Sequence, residues 1–184
     1  MPHKAIYPGS FDPPTLGHLD VLARGRRMFD EIVVAVGRNP EKSAFLPVEQ
    51  RVSMLETLVA ELLDGEPGAA PVTIASYDGL TVDFAREIGA SAILRGIRNV
   101  TDLAAECQLA ITNRQVAEIE TVFMITGERY AFTSSSLIRQ VAALGGSLDR
   151  LTAIVPQIVI DRMKEKMGSP DNPLAHMARD EHID

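Results

Sequence analysis

Apolar positions in this chain switch repeatedly between two spacings. Short aliphatic runs alternate with longer stretches in which apolar residues recur every three or four positions. The runs at 5–7, 31–36, 72–75, 92–94 and 121–125 predict strands. The clearest is Glu31-Ile32-Val33-Val34-Ala35-Val36, continuous rather than alternating, as in a strand covered on both faces. The longer stretches predict helices. One covers 17–29, with Leu19, Val21, Leu22 and Met28 as packing residues; another covers 48–63, with Val52, Leu55, Leu58, Val59 and Leu62. Four more fall at 81–88, 102–116, 134–144 and 157–167. Five strands separated by helices predict an α/β fold, a Rossmann-like five-stranded parallel sheet with helices on both faces. Such sheets bind ligands outside the carboxyl ends of their strands. Residues 1–168 read as one domain with no internal repeat. Residues 169–184 are polar, lack a sustained apolar face, and read as a disordered or loosely attached tail.

Composition narrows the class. The chain has 184 residues, 46% hydrophobic and 23% charged, enough for one domain with a core. Its net charge of −7 argues against non-specific nucleic-acid binding, so a polyanionic ligand would need basic residues gathered locally. Charged and polar residues interrupt the first thirty positions, which do not read as a signal peptide. No apolar run is long enough to span a membrane. The single cysteine, Cys107, excludes an intrachain disulfide and reads as a packing residue. A cytoplasmic enzyme is the expectation. The G-x-G-x-x-G fingerprint is absent, which leaves a dehydrogenase little support.

The candidate chemistry sits where strands meet helices. Tyr7 to His18 reads Y-P-G-S-F-D-P-P-T-L-G-H. Helix N-termini offer unpaired N–H groups and the positive end of a dipole, and glycine lets backbone approach a ligand closely. Thr15 and His18 are three apart and share a helical face. A plain helix cap beside a surface histidine would look the same. Lys42 lies in the polar loop 37–47 and by itself reads as a solvated lysine. Arg95-Gly96-Ile97-Arg98 follows the fourth strand and could clamp phosphate or form surface ion pairs. Asp102, Glu106 and Asn113 can share one polar helix face. Thr133-Ser134-Ser135-Ser136 opens a helix with consecutive hydroxyls, and Arg139 follows on its first turns. His3, His176 and His182 lie near the termini and read as solvated.

Thr15-Leu16-Gly17-His18 resembles the T/H-x-G-H signature of nucleotidyltransferases. The longer run Y-P-G-S-F-D-P-x-T-x-G-H, together with N-P-x-K, R-G-I-R and the serine-rich run, resembles the phosphopantetheine adenylyltransferase family over roughly residues 4 to 166. The resemblance implies adenylyl transfer from ATP to 4′-phosphopantetheine, giving dephospho-coenzyme A and pyrophosphate, in coenzyme A biosynthesis. It implies catalytic roles for His18, Lys42 and Arg95. His18 would contact the α-phosphate. Ser10, Lys42, Thr81 and Arg95 would bind the acceptor. Ser10, Phe11, His18, Gly96, Ile97, Arg98, Glu106, Tyr130, Ala131, Phe132, Thr133, Ser134, Ser135, Ser136 and Arg139 would bind ATP. Magnesium would arrive with ATP, with no dedicated carboxylate cage. Coenzyme A would act as feedback inhibitor, and the chain would assemble as a homohexamer, with no nucleic-acid or membrane partner. Leu103, Ala104 and Ala105 depart from the family's D-F-E-Y-E pattern, which puts local packing in question. A nicotinate-mononucleotide adenylyltransferase or cytidylyltransferase shares these motifs, and a non-catalytic nucleotide-binding protein shares the scaffold.

Overall fold

A computed structural model describes residues 3–38 and 44–175. Five strands form one sheet: β1 (Lys4–Gly9), β2 (Glu31–Gly37), β3 (Val72–Tyr77), β4 (Ala92–Ile97) and β5 (Glu120–Ile125). Their order is β3-β2-β1-β4-β5 and every pair is parallel. Six α-helices accompany them: α1 (Leu16–Gly25), α2 (Val48–Gly65), α3 (Thr81–Glu87), α4 (Val100–Ala117), α5 (Ser135–Ala143) and α6 (Gln157–Met167). Each strand and helix the sequence predicts is present.

Side chains alternate across the sheet and so divide the core. Ala5, Tyr7, Ile32, Val34 and Leu94 face α1 and α2, meeting Val21, Leu22, Leu55 and Val59. Ile6, Ala35 and Ile93 face the other way, meeting Val82 and Ala85 of α3 and Ala117 of α4. Both faces are covered, which is why β2 reads as a continuous apolar run. A third cluster joins α5 and α6 to Phe45, Leu46, Met54 and Leu58.

Two features aim the site. The sheet order reverses at β1, and β1 pairs with β4 only through Ala5–Ala92 and Ile6–Ile93. Beyond those pairs the strands part, which opens a crevice at their carboxyl ends. Gly96 then lets α1 lie directly over β4, because a Cβ there would come within 2.9 Å of Val21 Cγ2.

The structure corrects the sequence reading in several places. Arg95-Gly96-Ile97 belongs to β4 rather than following it, pairing with Phe123, Met124 and Ile125. Helix α1 stops at Gly25, so Met28 falls on a turn and is exposed instead of packed. Of the tail, residues 169–175 are described. Leu174 is buried in the third cluster, and residues Pro173–Ala175 form a short 3-10 turn against α5. Similar turns at Glu128–Tyr130 and Leu148–Leu151 are too short to leave a periodic signal.

Candidate active site

A cavity of about 830 Å³ opens over the carboxyl ends of the strands. Its first wall is the β1–α1 connection. Phe11 takes a left-handed backbone conformation, φ 47°, rare for a residue with a Cβ. Its ring is buried edge-on against Tyr7 at 5.5 Å and against His18 at 5.0 Å, which offsets the strain. Gly9 is needed beside it, since a Cβ there would sit 3.0 Å from the Phe11 ring.

Thr15 caps α1 and His18 completes a capping box. His18 N donates to Thr15 Oγ1 at 3.2 Å, and Thr15 N donates to His18 Nδ1 at 3.0 Å. Because Nδ1 accepts, the hydrogen-bond pattern assigns the ring proton to Nε2. Burial, then the charges of Arg98 and Arg95, push the His18 pKa down to about 4. The ring keeps part of its surface on the cavity, so water there tempers the effect of burial. At neutral pH His18 is therefore an uncharged donor.

The second wall comes from β4 and α4. Arg95 is gripped by both carboxylate oxygens of Glu106, with Nε 2.7 Å from Oε2, and donates through Nη1 to the Pro8 carbonyl at 2.7 Å. Burial alone would lower the Arg95 pKa, but the hydrogen bonds and charge of Glu106 outweigh it and hold it above its ordinary value. Arg98 makes the same kind of fork with Asp102, at 2.7 and 2.9 Å, and reaches across to the Thr133 carbonyl at 2.8 Å. Asp102 and Glu106 are four apart on one helix, so they present their carboxylates to the two arginines as a pair.

The third wall is the start of α5. Ser134 caps it, accepting from Leu137 N at 3.0 Å. Ser135 Oγ donates to the Pro13 carbonyl at 2.7 Å, and Arg139 donates to the Asp12 carbonyl. These bonds tie the two motifs that sequence alone leaves far apart.

Most of the sequence-predicted residues converge. Ser10, Phe11, His18, Arg95, Gly96, Arg98, Glu106, Tyr130, Thr133, Ser134, Ser135, Ser136 and Arg139 all line the cavity. Ile97, Thr81, Ala131 and Phe132 do not. Ile97 is buried in the sheet, and Phe132 is 90% exposed. Thr81 Oγ1 is bonded to Tyr77 OH at 2.7 Å, while Asp78 and Gly79 from the same connection reach the cavity instead. Lys42 lies outside the described residues. Sequence reasoning missed Asp12, Arg38 and Arg51 as wall residues. The Asp-Gly turn after β3 is a signal that could have drawn attention to 78–79; Arg51 leaves none. Among the described residues five arginines and four carboxylates line the cavity, a local excess of positive charge in a protein of net charge −7. Among the described residues no three His, Cys, Asp or Glu side chains converge to hold a metal.

A crevice at the switch point of a parallel sheet, walled by a neutral histidine, arginine forks and a hydroxyl-rich helix start, defines a nucleotidyltransferase site. The model of the cytidylyltransferase-like family matches residues 6–141. Within that class the chain belongs to the phosphopantetheine adenylyltransferases. Proteins of that name are 41% identical in Rhodopirellula baltica, covering 90% of this chain and 89% of the relative, and 46% identical in Desulfatibacillum aliphaticivorans, covering 91% and 90%. Solved structures share the fold at low identity. A putative nicotinate-nucleotide adenylyltransferase from Vibrio parahaemolyticus has TM-score 0.55 and 16% identity over 89% of this chain and 99% of its own. A bifunctional NMN adenylyltransferase/ADP ribose pyrophosphatase from Francisella tularensis has TM-score 0.64 and 14% identity over 97% of this chain and 52% of its own.

Proposed function

We propose that the protein transfers the adenylyl group of ATP to the phosphate of 4′-phosphopantetheine, forming dephospho-coenzyme A and releasing pyrophosphate. A phosphate oxygen of the acceptor bonds to the α-phosphorus, the bond from that phosphorus to the α–β bridging oxygen breaks, and the electron pair leaves with pyrophosphate. The acceptor is already an anion at neutral pH, so no strong general base is needed. Catalysis is positioning plus charge stabilisation.

The observation that carries this reading is the held, uncharged His18. Its Nε2–H donates to the α-phosphate oxygens as charge shifts, and it brings no cation that would bind ground and transition states alike. A single well-placed donor of this kind is worth about 10²–10³ in rate. Arg95 and Ser10, with Lys42, hold the acceptor. The α5 start and Arg139 hold the β- and γ-phosphates of the leaving group. Of the four carboxylates on the cavity, Glu106 is engaged by Arg95, Asp102 by Arg98 and Asp12 by backbone N–H groups, while Asp78 is exposed and 3.6 Å from Arg38. That fits magnesium carried mainly by the triphosphate and water.

Self-association as a homohexamer belongs to the same reading. Ala117 is the one buried residue of the eighteen in α4, and exposed apolar residues lie on both sides of that helix, Val100, Leu103 and Ile111 on one and Leu109 and Val116 on the other, positions that a neighbouring copy would cover. Coenzyme A, which shares the pantetheine arm of the acceptor, would occupy the cavity as an inhibitor. A cytoplasmic location is in keeping with the described helices, none of which is long and apolar enough to cross a membrane.

An acceptor panel tests the proposal. With ATP and magnesium, 4′-phosphopantetheine is expected to give dephospho-coenzyme A and nicotinate mononucleotide to be inert. Preference for the mononucleotide would sink the assignment.

A further inference from the structure

Asp12 is a buried carboxylate, 5% exposed, that the chemistry above does not use. It sits in the connection between β1 and α1, and its two ends look in different directions. The side chain accepts two consecutive backbone N–H groups, Phe45 N to Oδ2 and Leu46 N to Oδ1, both at 2.8 Å. The main-chain carbonyl accepts from Arg139 of α5. The carboxylate also forms an ion pair with the Arg139 guanidinium at 3.9 Å, longer than a hydrogen bond and weaker than the two backbone bonds.

The side-chain end belongs to a closed frame. Arg51, itself buried, donates Nε to the Leu46 carbonyl at 3.0 Å and Nη1 to the Ser10 carbonyl at 2.6 Å. Asp12 and Arg51 thus fasten residues 44–48 to the Ser10–Asp12 backbone from two sides. Ala44, Val48 and Arg51 all line the cavity, beside Ser10. A charged acceptor of two backbone donors is a strong, directional fastening in a buried setting.

We propose that Asp12 is a positioning residue whose two ends serve the two substrates separately: its carboxylate fixes the acceptor-side wall at residues 44–48, and its carbonyl fixes Arg139 on the ATP side. The inference rests on the adenylyl-transfer reading above. It assigns Asp12 no contact with either substrate. Its consequence is an asymmetry, since changing the side chain removes both backbone bonds at Phe45 and Leu46 but leaves the carbonyl bond to Arg139 and gives up only the longer ion pair there.

The test is Asp12→Asn in the full-length protein, isosteric and uncharged. One carboxylate oxygen becomes an NH2 group that faces a backbone N–H. Amide hydrogen exchange at Phe45 and Leu46 reads the two bonds directly and needs no turnover. The acceptor KM and the ATP dissociation constant read the two sides. The expected result is lost protection at those amides, a roughly tenfold rise in acceptor KM, and ATP affinity within about twofold of wild type. Arg139→Lys is expected to give the mirror pattern, weaker ATP binding with the acceptor KM unmoved. Equal losses for both substrates in Asp12→Asn, or amides as protected as in wild type, overturn the assignment. Should that variant not fold, Arg51→Lys carries the same test, with an acceptor-only loss expected and an equal loss decisive against it. A wild-type protein that binds ATP but leaves 4′-phosphopantetheine unchanged would fail the reading of function instead, and the exchange measurement would still decide on Asp12.

Discussion

Thr15 and His18 hold each other at the first turn of α1. The threonine oxygen accepts from the His18 backbone N–H, and the histidine Nδ1 accepts from the Thr15 backbone N–H. One exchange of bonds caps the helix, fixes the ring and selects its tautomer. The local stability of the turn and the chemistry of the site therefore depend on the same pair.

Removing the ring should separate chemistry from binding. His18→Ala is expected to lower kcat by about 10²–10³ while ATP affinity changes far less. Pre-steady-state turnover with ATP titration measures both. A kcat near wild type would remove His18 from the transition state.

Titration of His18 has a definite sign. Its folded pKa, about 4, lies below the ordinary 6.5. Between those values the unfolded chain binds a proton that the folded chain does not. The contribution of His18 to stability is intact above about 6.5 and is lost as the pH falls toward 4. NMR of the ring should show it neutral through pH 6.5, with Nε2 protonated. A midpoint at the ordinary histidine value would contradict the assignment.

Thr15 is the cheaper half of the pair to remove. Thr15→Val keeps the shape and loses the cap, and is expected to cost about 1 kcal/mol in urea unfolding. With the cap gone the ring is less well fixed, so kcat should fall more than ATP binding. Thr15→Ser should restore both, since only the hydroxyl matters. A valine variant with wild-type kcat would show that the ring needs no such support.

Arg95 is expected to matter for the acceptor. Lysine cannot reproduce the fork to Glu106 together with the bond to Pro8. Arg95→Lys should raise the KM for 4′-phosphopantetheine roughly tenfold or more, with ATP affinity less affected. Steady-state kinetics with each substrate varied would show it, and unchanged KM and kcat would exclude Arg95 from the acceptor site.

Gly96 tests the packing that brings α1 over the sheet. A Cβ there meets Val21 Cγ2 at 2.9 Å. Gly96→Ala is expected to cost about 1–3 kcal/mol, as overpacking does, and Val21→Ala should recover part of it. Unfolding midpoints of the two single variants and the double variant decide the matter. Additive losses would mean the two positions do not press on each other.

The sheet was legible because burial on both faces leaves continuous aliphatic runs such as 31–36, and its helices because their packed faces repeat. Strand ends were harder to see. Arg95 and Gly96 look like loop residues, yet pairing with β5 draws them into β4. The site motifs were legible as hydroxyls, glycines and cations at strand–helix junctions. Their partners were not. Asp12, Arg51 and Asp102 act through bonds to backbone or side chains distant in sequence or masked by an ordinary polar pattern. Arg26 is hidden in the same way, buried while it donates to the carbonyls of Leu62, Glu66, Ala69 and Ala70. Nothing in one dimension marks an arginine that will be enclosed by carbonyls.

Isotope transfer tests the chemistry most directly. The protein would be given magnesium, 4′-phosphopantetheine and ATP labelled separately at the α- and γ-phosphorus. The α-label is expected in dephospho-coenzyme A and the γ-label in pyrophosphate, in equal amounts. Transfer of the γ-label to the acceptor, or release of the α-label as free AMP without dephospho-coenzyme A, would contradict attack of the acceptor phosphate on the α-phosphorus.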